Sequence, residues 1–112
     1  MAPTPSLQDV IHLVETDTED EQPLNRLGVA SVLVRNLAEV HVDIAETLAA
    51  VGKRPGTSSA QLRDLRARGA AEYETARRLY EGLQARGVLP AAEVGHIAEL
   101  RAEEDKLRRA LQ

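Results

Sequence analysis

The chain has 112 residues, a formal net charge of −4 and no cysteine. This length suits one domain with a modest core, and the absence of cysteine excludes disulfides, thiolate metal sites and cysteine nucleophiles. Phe and Trp are absent too, so we expect an aliphatic core, and the two Tyr offer little surface for stacking nucleobases.

No targeting or membrane segment is evident. The stretch MAPTPSLQDV lacks the basic region and apolar run of a secretory signal. The longest apolar region, 27–51, is interrupted by Arg35, Glu39, Asp43 and Glu46, which excludes a membrane span. We therefore expect a soluble, cytoplasmic protein.

Charge is distributed unevenly along the chain. Residues 1–52 contain two Arg and nine acidic residues, a net charge of −7, whereas 53–112 contain twelve basic and nine acidic residues, a net charge of +3. In an antiparallel bundle this asymmetry favours charge complementarity within one molecule and solubility. Head-to-tail assembly with another copy is the alternative.

The first predicted helix covers residues 5–16. Thr4 is a suitable N-cap and Pro5 suits the first helical position. One apolar face follows at spacings of three and four residues: Leu7, Val10, Ile11 and Val14. The acidic stretch 15–22 has no apolar residue, and we predict a solvated turn there.

The second predicted helix covers residues 23–51, with Gly52 as its stop. We expect its core-facing spine to be Leu33, Leu37, Val40, Ile44, Leu48 and Val51. Alternation of apolar and polar residues over 40–44 is typical of a strand, but it lasts five residues while the helical spacing lasts nineteen. Helix is therefore the better prediction.

Two more helices are predicted after the turn KRPG at 53–56. The third covers 58–86, because Ser58 and Gln61 match a capping box and a heptad seam follows at Leu62, Leu65, Gly69, Glu72, Ala76, Leu79 and Leu83. The fourth covers 90–111, with apolar residues at Ile97, Leu100, Leu107 and Leu111. Glu104 and Arg108 stand at the spacing of a helical ion pair.

These elements predict one all-α domain over residues 1–112. A long antiparallel helical hairpin with coiled-coil spacing would be flanked by two further helices. The result is a four-helix bundle that either closes within one chain or is completed by dimerisation.

Glu93 and His96 raise the possibility of a metal site. Their Glu-x-x-His spacing occurs in carboxylate-bridged di-iron bundles, and both residues fall near the apolar stripe of the fourth predicted helix. A second Glu-x-x-His is absent, Glu72 lies at the wrong height, and His12 points away from the apolar face of its helix. We therefore expect no metal, no cofactor and no enzymatic activity, with a helical metal-binding protein using Glu93, His96 and His12 as the alternative.

Arginines on the third predicted helix suggest a second alternative, a nucleic-acid accessory protein. Phosphate binding requires basic side chains on one face, but these are scattered around the helix and interleaved with acids. Nucleic-acid binding is therefore the weaker prediction. The residues are Arg63, Arg66, Arg68, Arg77, Arg78 and Arg86.

Surplus apolar surface is the stronger functional signal. Val32, Val34 and Val42 lie outside the predicted spine, and β-branched residues in helices usually serve packing. Tyr73 and Tyr80, seven residues apart, suit either the core edge or an interface. We take these five as candidates for a protein interface, of which Val42 is the best. Core packing is the better interpretation for Val32 and Val34, and the core edge is the better one for Tyr73 and Tyr80.

The sequence thus predicts a non-enzymatic helical protein that acts by protein–protein association. It would be a homo-oligomer, or a small subunit or adaptor of a larger complex, with no membrane or small-molecule partner evident. Charge asymmetry would set the orientation of its partners.

Overall fold

The computed structural model describes the backbone of residues 23–112 and the side chains of residues 29–112. Three α-helices follow one another: α1 (Pro23–Gly52), α2 (Ser59–Ala85) and α3 (Gly95–Ala110). One 3-10 turn, Ala91–Glu93, precedes α3. The predicted all-α class is confirmed, since this part of the chain contains no strand. The predicted first helix, 5–16, lies outside the described residues.

Helix α2 packs against both α1 and α3. The predicted long hairpin corresponds to α1 and α2, and α3 is the flanking helix that follows it. A four-helix bundle is not confirmed, because the described ranges contain three helices. Over 23–112, no helix combines the length and apolarity needed to cross a bilayer.

The two ends of α2 are set by local backbone chemistry. The predicted capping box is confirmed: Gln61 N–H donates to Ser58 Oγ at 3.1 Å, and Ser58 N–H donates to Gln61 Oε1 at 2.9 Å. Gly87, with φ of 73°, terminates the helix in the left-handed region that glycine tolerates best. Val88 N–H then bonds the Leu83 carbonyl at 3.1 Å, as in a Schellman motif.

The core is aliphatic, with two tyrosines. It uses small residues where the helices meet, and at Gly69 an added Cβ would lie 3.2 Å from Leu107 Cδ1 of α3. Gly69 therefore allows the close helix approach expected from its position in the seam. The buried cluster comprises Val34, Ala38, Ala45, Tyr73, Ala76, Leu79, Tyr80, Leu83 and Leu100.

The predicted spine of α1 is wrong at three of its six positions. Leu33, Val40 and Ile44 are exposed, whereas Leu48 is buried as predicted and the neighbouring face carrying Val34 and Ala38 forms the core. The physical reason is size. The buried face of α1 carries Ala38 and Ala45, which share the core cluster with Ala76 of α2, so small residues let the two backbones approach. Most of the larger side chains of α1 consequently lie on its other side, although Val34 and Leu48 are buried.

The predicted start of the last helix is also corrected. Pro90 has an extended ψ of 143°, and Glu93 N–H bonds the Pro90 carbonyl at 2.9 Å in a 3-10 turn. The α-helix itself begins at Gly95. Glu93 therefore precedes the helix that carries His96. The predicted Glu104–Arg108 pair is confirmed, with Arg108 Nε donating to Glu104 Oε2 at 2.9 Å.

Candidate functional site

One side of α1 carries a stripe of large apolar side chains that no described residue covers. We call this stripe the outer face. Its side chains are between 38% and 50% exposed. No large apolar side chain within α2 or α3 is exposed to this degree. The outer face comprises Val29, Val32, Leu33, Val40 and Ile44.

The geometry of the helix accounts for this exposure. Successive residues turn by about 100° around an α-helix, so Leu33 faces outward while its neighbour Val34 is fully buried. Residues 33, 37, 40 and 44 follow one another at spacings of four, three and four residues, which is the repeat of a coiled-coil seam. Leu37, half-buried, joins the outer face to the core side of α1.

Acidic side chains border the outer face. Glu39, Asp43 and Glu46 are exposed on α1. Arg35 lies in the same part of α1 but does not neutralise these carboxylates at the outer face. Its Nη1 donates to Glu93 Oε2 at 2.8 Å, on the far side of the helix. The outer face is thus an apolar stripe with an acidic margin, which would complement polar or basic groups on a partner.

The five interface candidates from the sequence do not form one surface. Val34, Tyr73 and Tyr80 are buried in the chain's own core, as the core alternative anticipated for them. Val42 is half-buried and packs against that core, so it is not free to make the intermolecular contact suggested for it. Only Val32 belongs to the outer face.

Burial also affects the chemistry of the two tyrosines. Burial raises the pKa of the Tyr73 hydroxyl, and the nearby carboxylates of Glu103 and Glu46 raise it further. Burial likewise raises the pKa of Tyr80, with added contributions from Glu39 and Glu93. Both phenols therefore stay neutral at physiological pH and serve as core side chains.

Sequence reasoning placed Leu33, Val40 and Ile44 in the core because they are the largest apolar residues at helical spacing. The signal that identifies the buried face is less obvious: Ala30, Ala38 and Ala45 recur at helical spacing and are all buried. Small residues repeating in this way mark the side where another helix approaches closely.

The proposed metal ligands are already engaged with other groups. The carboxylate of Glu93 binds Arg35. His96 is exposed, with Nδ1 3.3 Å from Glu99 Oε2 and its ring centroid 5.7 Å from that of Tyr80. Within the part of the chain described, no three His, Asp or Glu side chains form a group that could hold a metal ion. His12 lies outside the described residues.

His41 and Glu72 form a further pair, with His41 Nδ1 2.5 Å from Glu72 Oε2. This contact joins α1 to α2. A half-buried carboxylate needs a hydrogen-bond partner, and His41 supplies one for Glu72 in the heptad seam of α2.

Two arginines of α2 are bound to carboxylates, and one of them, Arg77, links α2 to α3. Arg77 Nη1 contacts Glu81 Oε1 at 2.6 Å, and its Nη2 contacts Glu104 Oε1 at 3.1 Å. The hydrogen bond to Glu81 raises the pKa of Arg77, and the bond to Glu104 adds to this, although burial opposes both. Arg78 pairs with Glu74 at 3.1 Å.

Glu104 is the acidic centre of this network. Burial alone would raise the pKa of its carboxyl, but hydrogen bonds from Arg108 and Arg77 outweigh burial and hold the pKa below its usual value. The buried carboxylate is therefore ionised and links α3 to α2. This is a structural ion-pair network.

Comparisons with protein-family models, with curated proteins and with solved structures give no match for this chain.

Proposed function

We propose that this chain is a non-enzymatic helical assembly protein that works by protein–protein association. It acts as a homo-oligomer, or as a small subunit or adaptor of a larger complex. The observation that carries the proposal is the outer face of α1, five large apolar side chains exposed along one stripe. Full burial of a Val, Leu or Ile side chain contributes about 1.5–3 kcal/mol, so covering this stripe would supply a substantial driving force.

A second helix is the natural partner for the outer face. Leu33, Leu37, Val40 and Ile44 repeat at coiled-coil spacing, which suits knobs-into-holes packing against another helix. The outer face runs over residues 29–44, so its partner must extend roughly 24 Å along α1 at about 1.5 Å per residue. A helix over 5–16, as the sequence predicts, would span only roughly 18 Å.

A second copy of α1, running antiparallel, satisfies these requirements. If Leu37 of one copy lies beside Val40 of the other, Leu33 lies beside Ile44, so the four seam positions of the two copies meet. In that register Asn36 of one copy faces Asp43 of the other. The amide of Asn36 can donate to the carboxylate of Asp43, so the acidic margins of the two copies do not face one another.

Molecular mass in solution tests the proposal. Sedimentation equilibrium over a range of concentrations is expected to give a mass above the 12.2 kDa of one chain. The double variant Val40→Asp/Ile44→Asp should return to that mass, because each interface would then bury unpaired carboxylates. Ala71→Asp, at an exposed position of α2, is the matched control and should keep the mass of the wild type.

The two substituted positions are suitable because both side chains are exposed, so aspartate there leaves the chain's own core intact. Val42→Asp is unsuitable, since Val42 packs against that core. Circular dichroism should show equal helix content in all variants. A wild type that stays at the mass of one chain, and binds no more hydrophobic dye than the double variant, would contradict the proposal.

A further inference from the structure

A second apolar feature lies at the end of the bundle where the α1–α2 turn meets the last turns of α3. It is a cleft of about 350 Å³, at the lower end of the range of roughly 300–1,000 Å³ that small-molecule sites occupy. All three helices contribute to its walls. Its larger apolar lining residues are Leu48, Leu62, Leu65 and Leu107.

Small residues create this space. Gly52, Gly69 and Ala49 line the cleft, where larger side chains would fill it. The two glycines cannot readily accept a side chain, because an added Cβ would lie 3.1 Å from Leu62 Cδ1 at Gly52 and 3.2 Å from Leu107 Cδ1 at Gly69. Leu62 therefore packs over Gly52 and Leu107 packs over Gly69, and an apolar hollow remains beside them.

The charged residues that line the cleft are all basic: Lys53, Arg66 and Lys106. None of the three has an ion pair with another described residue. Arg35 and Arg77, by contrast, are bound to carboxylates. Arg66 is also half-buried, a setting in which a guanidinium normally has an anionic partner.

We propose that this cleft binds a free amphipathic carboxylate, a medium-chain fatty acid. The alkyl chain would lie among the leucines, and the carboxylate would lie at the mouth against Lys53, Arg66 and Lys106. An apolar hollow whose lining includes three cations without an ion pair to a described residue selects both for an apolar body and for a negative head. A nucleotide fits less well, since no aromatic ring lines the cleft to stack a base.

This site is separate from the outer face of α1. None of the five residues of the outer face lines the cleft, so occupancy of the cleft does not depend on self-association. The two proposals can fail independently.

Titration of the full chain with simple amphiphiles tests the site. Isothermal calorimetry with octanoate, decanoate and dodecanoate, each below its micelle concentration, should show binding that tightens by about fourfold for each added methylene that enters the cleft. Decylammonium, with the same tail and the opposite charge, should bind at least tenfold more weakly than decanoate. Equal binding of the two would overturn the proposal.

Variants locate the binding. Combining Lys53→Gln, Arg66→Gln and Lys106→Gln should weaken decanoate binding by about tenfold or more, since each charge contributes about two- to fivefold. Arg54→Gln/Arg68→Gln removes two exposed arginines that do not line the cleft, and should leave binding unchanged. Ala49→Leu should fill the cleft and abolish binding.

Val40→Asp/Ile44→Asp must leave decanoate affinity within about twofold of the wild type. If this variant abolishes binding, the fatty acid binds the outer face and the cleft proposal is wrong. It is equally wrong if decanoate binds Ala49→Leu as tightly as the wild type.

Discussion

Leu33 and Val34 are neighbours in α1, yet Val34 is fully buried against α2 while Leu33 is 45% exposed to solvent. The helix therefore has two apolar faces. The face that includes Val34 is rich in alanine and forms the core, and the face that includes Leu33 carries the larger side chains. An amphipathic helix needs only one apolar face to bury itself in its own domain. The second face is therefore the one that associates with a partner in our proposal.

Replacing Leu83 and Leu33 by Ala, one at a time, tests the difference in burial between these two leucines. Leu83→Ala, at a fully buried side chain of α2, should lower the free energy of unfolding by about 3 kcal/mol through lost burial and the cavity left behind. Leu33→Ala should change it by less than about 0.5 kcal/mol in dilute solution. Urea denaturation at low protein concentration measures both. Equal losses would mean that Leu33 is buried within the single chain.

The antiparallel register of the proposed dimer makes a prediction at Asn36. Asn36→Lys should tighten the dimer by about two- to fivefold, because each new lysine would face Asp43 of the other copy. Asn36→Asp should weaken the dimer by a similar factor, because like charges would then face one another. Dimer dissociation constants from sedimentation test this. Identical constants for the two variants would show that residues 36 and 43 do not meet.

Glu104 should make stability depend on pH. Because its pKa is lower in the folded chain than its ordinary value of 4.5, its ion pairs stabilise the fold above that value, and the stabilisation is lost as pH falls through the folded-state pKa. Glu104→Gln should cost about 3 kcal/mol at pH 7, since it leaves Arg77 without its buried partner. The difference from the wild type should shrink in acid.

Thermal and urea unfolding between pH 7 and pH 3 measure this effect. Glu103→Gln, the exposed neighbouring residue, is the matched control and should leave stability nearly unchanged at each pH. A loss for Glu104→Gln that is the same at pH 3 as at pH 7 would contradict the assignment.

Glu93 is expected to act as an ion-pair partner. Glu93→Ala should lower stability by about 1 kcal/mol because Arg35, whose Nε is buried without a hydrogen-bond partner, would lose its carboxylate as well. The loss should be equal in buffer with and without EDTA. His96→Ala should be nearly neutral. A wild type that EDTA destabilises would instead support a metal at Glu93 and His96.

The capping box of α2 gives a matched pair of serines. Ser58→Ala should cost about 1 kcal/mol, because Gln61 N–H loses its acceptor at the helix start. Ser59→Ala, one residue further on and without a capping bond, should be neutral or slightly stabilising through helix propensity. If the two variants are equally stable, the cap contributes little.

Local signals predicted α1 and α2 well. Ser58 and Gln61 marked the start of α2, and Gly52 marked the end of α1. The Glu104–Arg108 pair also followed from spacing alone. These features involve residues at most four positions apart, so they form without contacts to other helices.

Local sequence patterns do not predict contacts between residues that are far apart in the chain. Arg35 and Glu93 are 58 positions apart, and the cleft requires all three helices. The sequence predicts arginines scattered around the third helix, which agrees with the ion pairs that Arg77 and Arg78 form. Their spacing does not indicate that Arg77 reaches Glu104 on α3.

Sequence pattern thus decided where α1 and α2 begin and end, and that α1 is more apolar than its own core requires. Which side of α1 turns inward was decided by tertiary packing. Both faces are apolar, so hydrophobicity does not distinguish them, whereas close packing with Ala76 of α2 favours the side carrying Ala38 and Ala45. Steric fit between two helices, which neither helix encodes alone, left most of the larger side chains exposed.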